Sequence, residues 1–296
     1  MARKDSKSRI AAASSKLRKR SEKKLGVDLK YKLYEASVQD PPEQTACVAR
    51  FYNEIFDSEA RVVREDFCGT FYFSCEWVKR NSRNQAICLD INEEPLGYGF
   101  RKHFKQLSSE EQTRITVLNQ NVMEPTDLPC DIIVAGNFSF YTLKERVYLK
   151  KYLEASYSSL AQNGILVLEM VGGAGFEETP QKEQRSYRYE KGAKKGEKWF
   201  TYQWEQRSFN PVARNGLYYI NFKMSDGTLY KEAFEYDWRV WTVPEVRDCV
   251  AEAGFDSSVV YWDDQEDDDD SSEAYHVRES ADNDNTWLCY VVAIKR

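Results

Sequence analysis

The stretch from Arg61 to Trp77 constrains the fold of this chain more than any other. Val62-Val63 is apolar and β-branched, which predicts a strand, and the charged step Arg64-Glu65-Asp66 follows it. Gly69 has no Cβ, so the backbone can turn sharply there and let a ligand approach closely, and Ser74 is placed to cap a helix. A strand, a glycine turn and a helix start form the nucleotide-binding corner of a doubly wound sheet. The same pattern also fits an ordinary strand-to-helix connection that contains a glycine.

Two later apolar runs favour the nucleotide-binding interpretation. Ala86 to Leu89 ends in Asp90, which lies 25 residues after Glu65. An acid about 20 residues beyond the glycine turn binds the two hydroxyls of a ribose, because one carboxylate accepts hydrogen bonds from both. The other run, Ile115 to Leu118, leads into Asn119-Gln120-Asn121-Val122, where an amide side chain is placed to bind an adenine amino group.

At these residues the chain resembles the class I S-adenosylmethionine-dependent methyltransferases. Glu65 to Thr70 is similar to their first motif, a strand-ending acid followed by Gly-Cys-Gly-Thr-Gly, and Phe67 and Phe71 stand at its outer two glycines. The resemblance is closest to bacterial-type members that carry Glu-Asp-Phe-Cys-Gly-Thr, and it covers roughly residues 31–174 and the last strands. It implies S-adenosyl-L-methionine as the cofactor. The cofactor-binding residues that it implies are Tyr34, Glu65, Asp66, Cys68, Gly69, Thr70, Asp90, Asn121, Val122 and Asn137.

The resemblance also implies a fold and a place for each part of the cofactor. The expected fold is α/β, a Rossmann-like doubly wound sheet of seven strands, parallel except for a reversed last strand, with an antiparallel β insertion after strand 5. Glu65 and Asp66 are expected near the methionine end or the loop, with Gly69 beneath it. Asp90 is expected on the ribose, and Asn121-Val122 beside the adenine.

The segment before the first strand has a helical period, with apolar residues recurring every three or four positions between Tyr31 and Phe56. In the resembling methyltransferases this part of the chain folds over the cofactor. Tyr31, Tyr34, Ser37 and Gln39 are therefore expected to form part of a lid, and ordinary helix packing is the alternative.

A further apolar run, Asp131 to Gly136, predicts the fourth strand, and Asn137 follows it at the edge where ligands bind in such sheets. We therefore expect the methyl acceptor there, with Asn137 and Tyr141 as the catalytic candidates. Asn137 offers a donor and an acceptor, and aromatic faces tolerate a sulfonium or ammonium cation. Alternatively, Asn137 is a turn residue and the rings belong to the core.

The second half of the chain departs from a simple alternation of strands and helices. Residues 177–240 contain about three alternating runs and the hairpin signal Asp226-Gly227, so we expect an antiparallel insertion that covers the cofactor mouth. Gly172, Gly173 and Gly175 before it suggest a hinge. Residues 263–284 are rich in acids without the spacing of a calcium loop, which predicts a flexible, solvated loop.

Composition excludes several classes of protein. At 296 residues and 42% hydrophobic content the chain can build a sizeable core, and it has no run of 18 apolar residues that could span a membrane. Seven cysteines without a CxxC pair indicate reduced thiols and argue against zinc, which together with the lack of a secretory signal predicts a cytoplasmic protein. Two isolated histidines make a hydrolase triad improbable.

The first 24 residues hold ten Lys or Arg and two acids, whereas the whole chain has a net charge of −6. We expect residues 1–30 to be a basic disordered tail ahead of a methyltransferase domain at 31–296. Such a tail can make weak contact with RNA or an acidic protein, although it offers no aromatic ring for base stacking.

Together these features predict a methyltransferase that moves a methyl group by in-line displacement to N or O of a small-molecule acceptor. Two alternatives stay open at this point. In the first, the methyl acceptor is RNA or protein recruited by the basic tail. In the second, the chain is a nucleotide-binding module without turnover.

Overall fold

A computed structural model describes residues 25–264 and 274–296. Its main sheet has eight strands in the order β11-β10-β12-β5-β4-β1-β2-β3. Strands β1 to β5 are mutually parallel, whereas β12 runs antiparallel to both β5 and β10. The strands of this main sheet are β1 Val62–Asp66, β2 Gln85–Leu89, β3 Ile115–Leu118, β4 Cys130–Ala135, β5 Leu160–Gly172, β10 Ser257–Asp263, β11 Tyr275–Val277 and β12 Trp287–Lys295.

The doubly wound sheet with a reversed last strand is confirmed, and the structure adds one strand to it. β11 pairs antiparallel with the end of β10, at the edge of the sheet. It lies within residues 263–284, which we predicted to be a flexible loop, and residues 265–273 of that stretch lie outside the described residues.

Helices cover both faces of the sheet, and each face has its own apolar core. The helix α1 begins at Val27, inside the segment 1–30 predicted as a tail, and residues 1–24 are not described. None of the described helices is long and apolar enough to cross a membrane. The helices are α1 Val27–Val38, α2 Pro41–Phe56, α3 Tyr72–Arg80, α4 Glu93–Lys102, α5 Ser109–Gln112, α6 Arg146–Ser159, α7 Ala174–Glu177 and α8 Val243–Glu252, with 3-10 turns at Phe104–Gln106 and Ser139–Thr142.

Helix starts follow the local sequence in most places. Thr242 caps α8 and forms a capping box with Glu245, and Pro244 lies in the first turn, where its missing N–H costs nothing. Ser74 is not a cap, because α3 already begins at Tyr72. The Ser74 hydroxyl instead donates a hydrogen bond to the Glu65 carboxylate.

The insertion after β5 is a separate antiparallel sheet of four strands in the order β6-β7-β8-β9. We expected about three strands. The one that was missed, β6, is polar and mostly exposed, so it lacks the alternation that marks a half-buried strand. The strands of this insertion sheet are β6 Gln181–Arg188, β7 Lys198–Asn210, β8 Asn215–Met224 and β9 Leu229–Arg239.

The glycines before the insertion are tightly packed and do not form the expected hinge. A Cβ on Gly173 would lie 2.5 Å from the carbonyl oxygen of Asn285, and one on Gly175 would lie 2.4 Å from the Asn285 side chain. The small residues at this point therefore permit close approach of the last loop to the end of β5.

Candidate functional site

The loop from Phe67 to Phe71, between β1 and α3, forms the glycine corner. Phe67, Gly69 and Phe71 have φ values of 54°, 52° and 42°, so all three adopt the left-handed backbone. Bulky side chains rarely adopt this conformation, and packing holds them in it here. The Phe71 ring is fully buried, with its centroid 5.2 Å from that of Phe100. The corner thus retains its shape although two of its three turning residues are not glycine.

Helix α4 approaches this corner closely at Gly99. A Cβ on Gly99 would lie only 2.2 Å from the Thr70 carbonyl oxygen, so glycine is required for the contact. The close approach packs the second half of α4 against the loop, and the acid that precedes the helix reaches the loop separately.

That acid is Asp90, which follows β2 and points into the glycine corner. One of its carboxylate oxygens accepts a hydrogen bond from the Gly69 N–H at 2.8 Å, and the other accepts from the Asn92 N–H at 2.8 Å. Burial raises the pKa of the Asp90 carboxyl, and these backbone donors oppose the shift. Each oxygen keeps a lone pair for a further donor, so the carboxylate can accept from a pair of ligand hydroxyls.

Above the corner lies a cavity of about 370 Å³, within the size range of small-molecule sites. Five acidic side chains and one basic side chain, Lys30, line it among the described residues. The excess of carboxylates favours a cationic ligand. The lining includes Lys30, Tyr31, Tyr34, Gln39, Glu65, Asp66, Phe67, Cys68, Gly69, Thr70, Asp90, Asn137, Glu169, Phe234, Glu235, Tyr236, Trp238 and Tyr290.

Glu65, near the end of β1, is buried beneath the cavity. One of its carboxylate oxygens accepts hydrogen bonds from the Ser74 N–H at 3.0 Å and from the Ser74 hydroxyl at 2.5 Å. Burial raises the pKa of Glu65 to about 8, and the Ser74 donors oppose the shift. The carboxyl therefore ties β1 to the first turn of α3 and is able to ionise when a cation occupies the cavity.

Asp66 lines the cavity as expected for a residue near the cofactor, but its carboxylate is already engaged by other side chains of the protein. Arg64 donates to both of its oxygens, at 2.7 and 3.0 Å, and the Tyr152 hydroxyl donates at 2.9 Å. Arg64 and Asp66 are both fully buried. Residues two apart on a strand share a face, so the pair forms within β1 itself.

The lid interpretation is supported in part by the positions of the expected residues. Tyr31, Tyr34 and Gln39 line the cavity, whereas Ser37 does not; its hydroxyl donates to the Leu33 carbonyl. The buried side-chain oxygen of Gln39 has no hydrogen-bond partner among the described residues. A ligand donor at this end of the cavity would satisfy it.

Glu35, on α1, binds the glycine corner from the lid side. Its carboxylate accepts from the Thr70 hydroxyl at 2.9 Å and from the Tyr98 hydroxyl at 3.1 Å, and it lies 2.6 Å from His103 Nε2. The His103 ring is largely buried and stacked on Tyr72, with centroids 4.3 Å apart.

The two catalytic candidates, Asn137 and Tyr141, lie in different environments. Asn137 lines the cavity, with φ 53°, and its N–H donates to Glu169. Tyr141 does not line it, which corrects the expectation. The 3-10 turn directs the Tyr141 ring into the core, where its hydroxyl donates to the Val171 carbonyl at 2.8 Å.

Asn121 and Val122 also lie outside the cavity lining. The Asn121 side-chain oxygen accepts from the Met123 N–H at 3.0 Å and closes a local turn. Val122 is buried in the core, and its carbonyl accepts from Arg64 at 3.2 Å. The positions of Asn121 and Val122 therefore give no support to their predicted contact with adenine.

The sequence matches no protein-family model and no curated protein, but solved structures share its architecture. A S-adenosylmethionine-dependent methyltransferase from Clostridium acetobutylicum ATCC 824 is 13% identical with a TM-score of 0.64, covering 90% of this chain and 97% of that one. The amino pentose methyltransferase CalS10 from Micromonospora echinaspora is 12% identical with a TM-score of 0.65, covering 90% and 96%. The sugar N-methyltransferase KedS8 from Streptoalloteichus sp ATCC 53650 is 14% identical with a TM-score of 0.61, covering 90% and 92%. The chain has the methyltransferase fold.

Sequence reasoning missed one prominent feature of this methyltransferase fold. Glu169 lies near the end of β5, at the cavity, and its cross-strand neighbour on β12 is Tyr290. The signal was available, because Glu169 is the acid that ends the apolar run from Ile165. The insertion residues Tyr236 and Trp238 also line the cavity, and no local pattern identified them individually.

Proposed function

We propose that this protein is a S-adenosylmethionine-dependent methyltransferase that moves a methyl group by in-line displacement to nitrogen or oxygen of a small molecule. The observation that carries the proposal is the Asp90 carboxylate held 2.8 Å from the Gly69 N–H, in a corner that keeps three left-handed residues. This arrangement presents an acid beside the glycine turn at the carboxyl ends of parallel strands.

The residues present fit S-adenosylmethionine as the methyl donor. Asp90 would hold the ribose hydroxyls, and Gly69 and Thr70 would lie under the donor. The excess of acids in the cavity suits a ligand that carries a sulfonium and an ammonium group. The donor supplies a methyl group that its sulfonium has already activated.

The chain's own contribution is to position the reactants and to exclude water. Tyr34 on α1 and Phe234 on β9 meet over the cavity, with ring centroids 4.6 Å apart. The lid helix and the insertion sheet therefore close it from two sides. The cavity of about 370 Å³ is of small-molecule size, and two structural neighbours are named for an amino pentose and for a sugar nitrogen, which supports a small acceptor.

Titration calorimetry with S-adenosylmethionine tests the proposal. We expect the protein to bind the donor, and Asp90→Ala to weaken binding roughly ten- to a hundredfold, because a charge-assisted pair is worth about 1.5–3 kcal/mol. Asp90→Asn keeps an oxygen that can accept the Gly69 N–H and should fall between the two. Glu93→Gln, an exposed substitution on the same loop and helix, is the control.

Donor binding that is unchanged in Asp90→Ala would refute the ribose assignment, and the absence of binding to the native chain would refute the proposal. Release of the demethylated donor in the presence of an acceptor would show that the protein is an enzyme, whereas donor binding without release would indicate a binding module.

A further inference from the structure

Glu169 is a carboxylate at the cavity wall that forms no ion pair with any of the described residues. Its one hydrogen bond among the described residues is from the Asn137 N–H, at 2.5 Å. Burial raises the pKa of Glu169 to about 7, and that N–H opposes the shift. The titratable groups that face it from the surrounding elements are acidic or neutral: Tyr34 on α1, Cys47 on α2, Tyr275 on β11, and Cys289 and Tyr290 on β12.

Aromatic rings line the same cavity as Glu169. Tyr236 and Trp238 of β9 pack together with centroids 4.4 Å apart, and Tyr290 is the cross-strand neighbour of Glu169. The Trp238 indole N–H is buried and has no hydrogen-bond partner among the described residues. Aromatic faces beside an unpaired carboxylate attract a cation, and the negative side chains of the cavity add to that attraction.

We propose that the methyl acceptor is a small amine, which binds as its ammonium ion at Glu169, and that Glu169 is the catalytic base that removes its proton. The inference rests on the proposed function and deepens it by naming the substrate class. A hydroxyl acceptor would bring no charge to balance Glu169, whereas an ammonium ion supplies both the missing cation and a transferable proton.

The chemical step balances as follows. The ammonium group gives one proton to the Glu169 carboxylate and becomes a neutral amine with a free electron pair. The amine nitrogen uses that pair to form the new bond to the methyl carbon, while the bond from methyl to sulfur breaks and its electron pair stays on sulfur. The product is a methylated ammonium ion, and Glu169 later returns its proton to solvent.

The test compares the affinities of benzylamine and benzyl alcohol for the full chain saturated with S-adenosylhomocysteine. Tryptophan fluorescence reports the binding of each ligand. We expect benzylamine to bind the native protein at least tenfold more tightly than it binds Glu169→Gln. Benzyl alcohol should bind both equally, because it makes no ion pair. Asp237→Asn, which changes an exposed acid on β9 paired with Lys144, is the control and should leave both affinities unchanged.

The pH dependence of benzylamine binding tests the ionisation of Glu169. Glu169 binds a cation only when ionised, so benzylamine affinity should rise more steeply from pH 6 to pH 8 in the native protein than in Glu169→Gln, where only Glu65 still ionises in this range. Glu65 is present in both proteins, so the difference between the profiles belongs to Glu169. Equal benzylamine binding in the two proteins, or the same profile, would overturn the inference.

Donor affinity separates the two proposals. We expect Glu169→Gln to bind S-adenosylmethionine as tightly as the native chain, which also shows that the variant is folded. A tenfold loss would mean that Glu169 holds the donor's own ammonium group, which would overturn the acceptor role and leave the proposed function standing. Failure of both proteins to bind the donor would remove the proposed function itself.

Discussion

Phe67 and Phe71 hold a left-handed backbone that glycine would adopt without strain. For an L-residue this conformation costs roughly 1–2 kcal/mol. The loss of a buried phenylalanine costs more, roughly 3–5 kcal/mol, because its packing contacts disappear and a cavity remains. Burial of the Phe71 ring against Phe100 therefore outweighs the strain, and the corner keeps its shape by packing.

This balance predicts an order of stability at position 71. Phe71→Ala loses the ring and keeps the strained backbone, whereas Phe71→Gly loses the same ring and relieves the strain. We expect both variants to be less stable than the native protein, and Phe71→Gly to be more stable than Phe71→Ala by about 1 kcal/mol. Urea denaturation measures the free energy of unfolding of the native protein and both variants. An alanine variant as stable as the glycine variant would show that the backbone at position 71 is not strained.

Individual residues were predictable where their role depends on spacing along the chain. Gly69 and Asp90 were found from the strand, turn and second strand, and their 2.8 Å contact follows from the parallel pairing of β1 with β2. The role of Asp66 could not be predicted from spacing, because its carboxylate binds Arg64 and Tyr152, and Tyr152 lies 86 residues away. Tyr141 likewise depends on the direction of a short turn, which sequence does not specify.

Among the elements, helix α1, which carries most of the predicted lid residues, is bound to the glycine corner. Its Glu35 contacts Thr70, Tyr98 and His103, and the Glu35 side chain is 12% exposed. Asp28 also joins α1 to α4, through Arg101 and Lys102, but its side chain is 53% exposed. Exposed ion pairs contribute little to stability, whereas removal of a largely buried partner leaves several groups unsatisfied.

We therefore expect Glu35→Ala to loosen the lid and Asp28→Ala to leave it closed. Hydrogen exchange of the α1 amides should quicken roughly tenfold or more in Glu35→Ala, because about 1–3 kcal/mol of local stability is lost. The amides of β1 and β4 should be unaffected. Equal exchange in the two variants would show that Glu35 does not hold the lid.

The strands and helices themselves were largely predictable, because apolar runs and caps are local signals. The exceptions are β6 and β11, which lie at sheet edges and carry polar side chains. An edge strand forms because a neighbour offers backbone hydrogen bonds, and charged side chains are common there. Its own sequence therefore carries little of the period-two pattern that identifies a half-buried strand.

At the scale of the whole molecule, one apolar core crosses from the main sheet into the insertion sheet. Tyr141 and Val171 belong to the same buried cluster as Tyr218 of β8 and Trp238 of β9. Shared burial of this kind couples the unfolding of the two sheets. The cavity lies where the lid helix, the main sheet and the insertion sheet meet, so a bound ligand contacts all three.

Thermal unfolding should therefore show one cooperative transition that the donor shifts as a whole. A ligand at 100 times its dissociation constant adds about 2.7 kcal/mol of stability, which raises Tm by roughly 4 °C for a chain of 296 residues. Asp90→Ala at the same donor concentration should show a smaller shift, because less of the donor is bound. Scanning calorimetry with and without S-adenosylmethionine measures this. Two separate transitions, with only one moved by the donor, would mean that the insertion sheet unfolds independently and does not enclose the ligand.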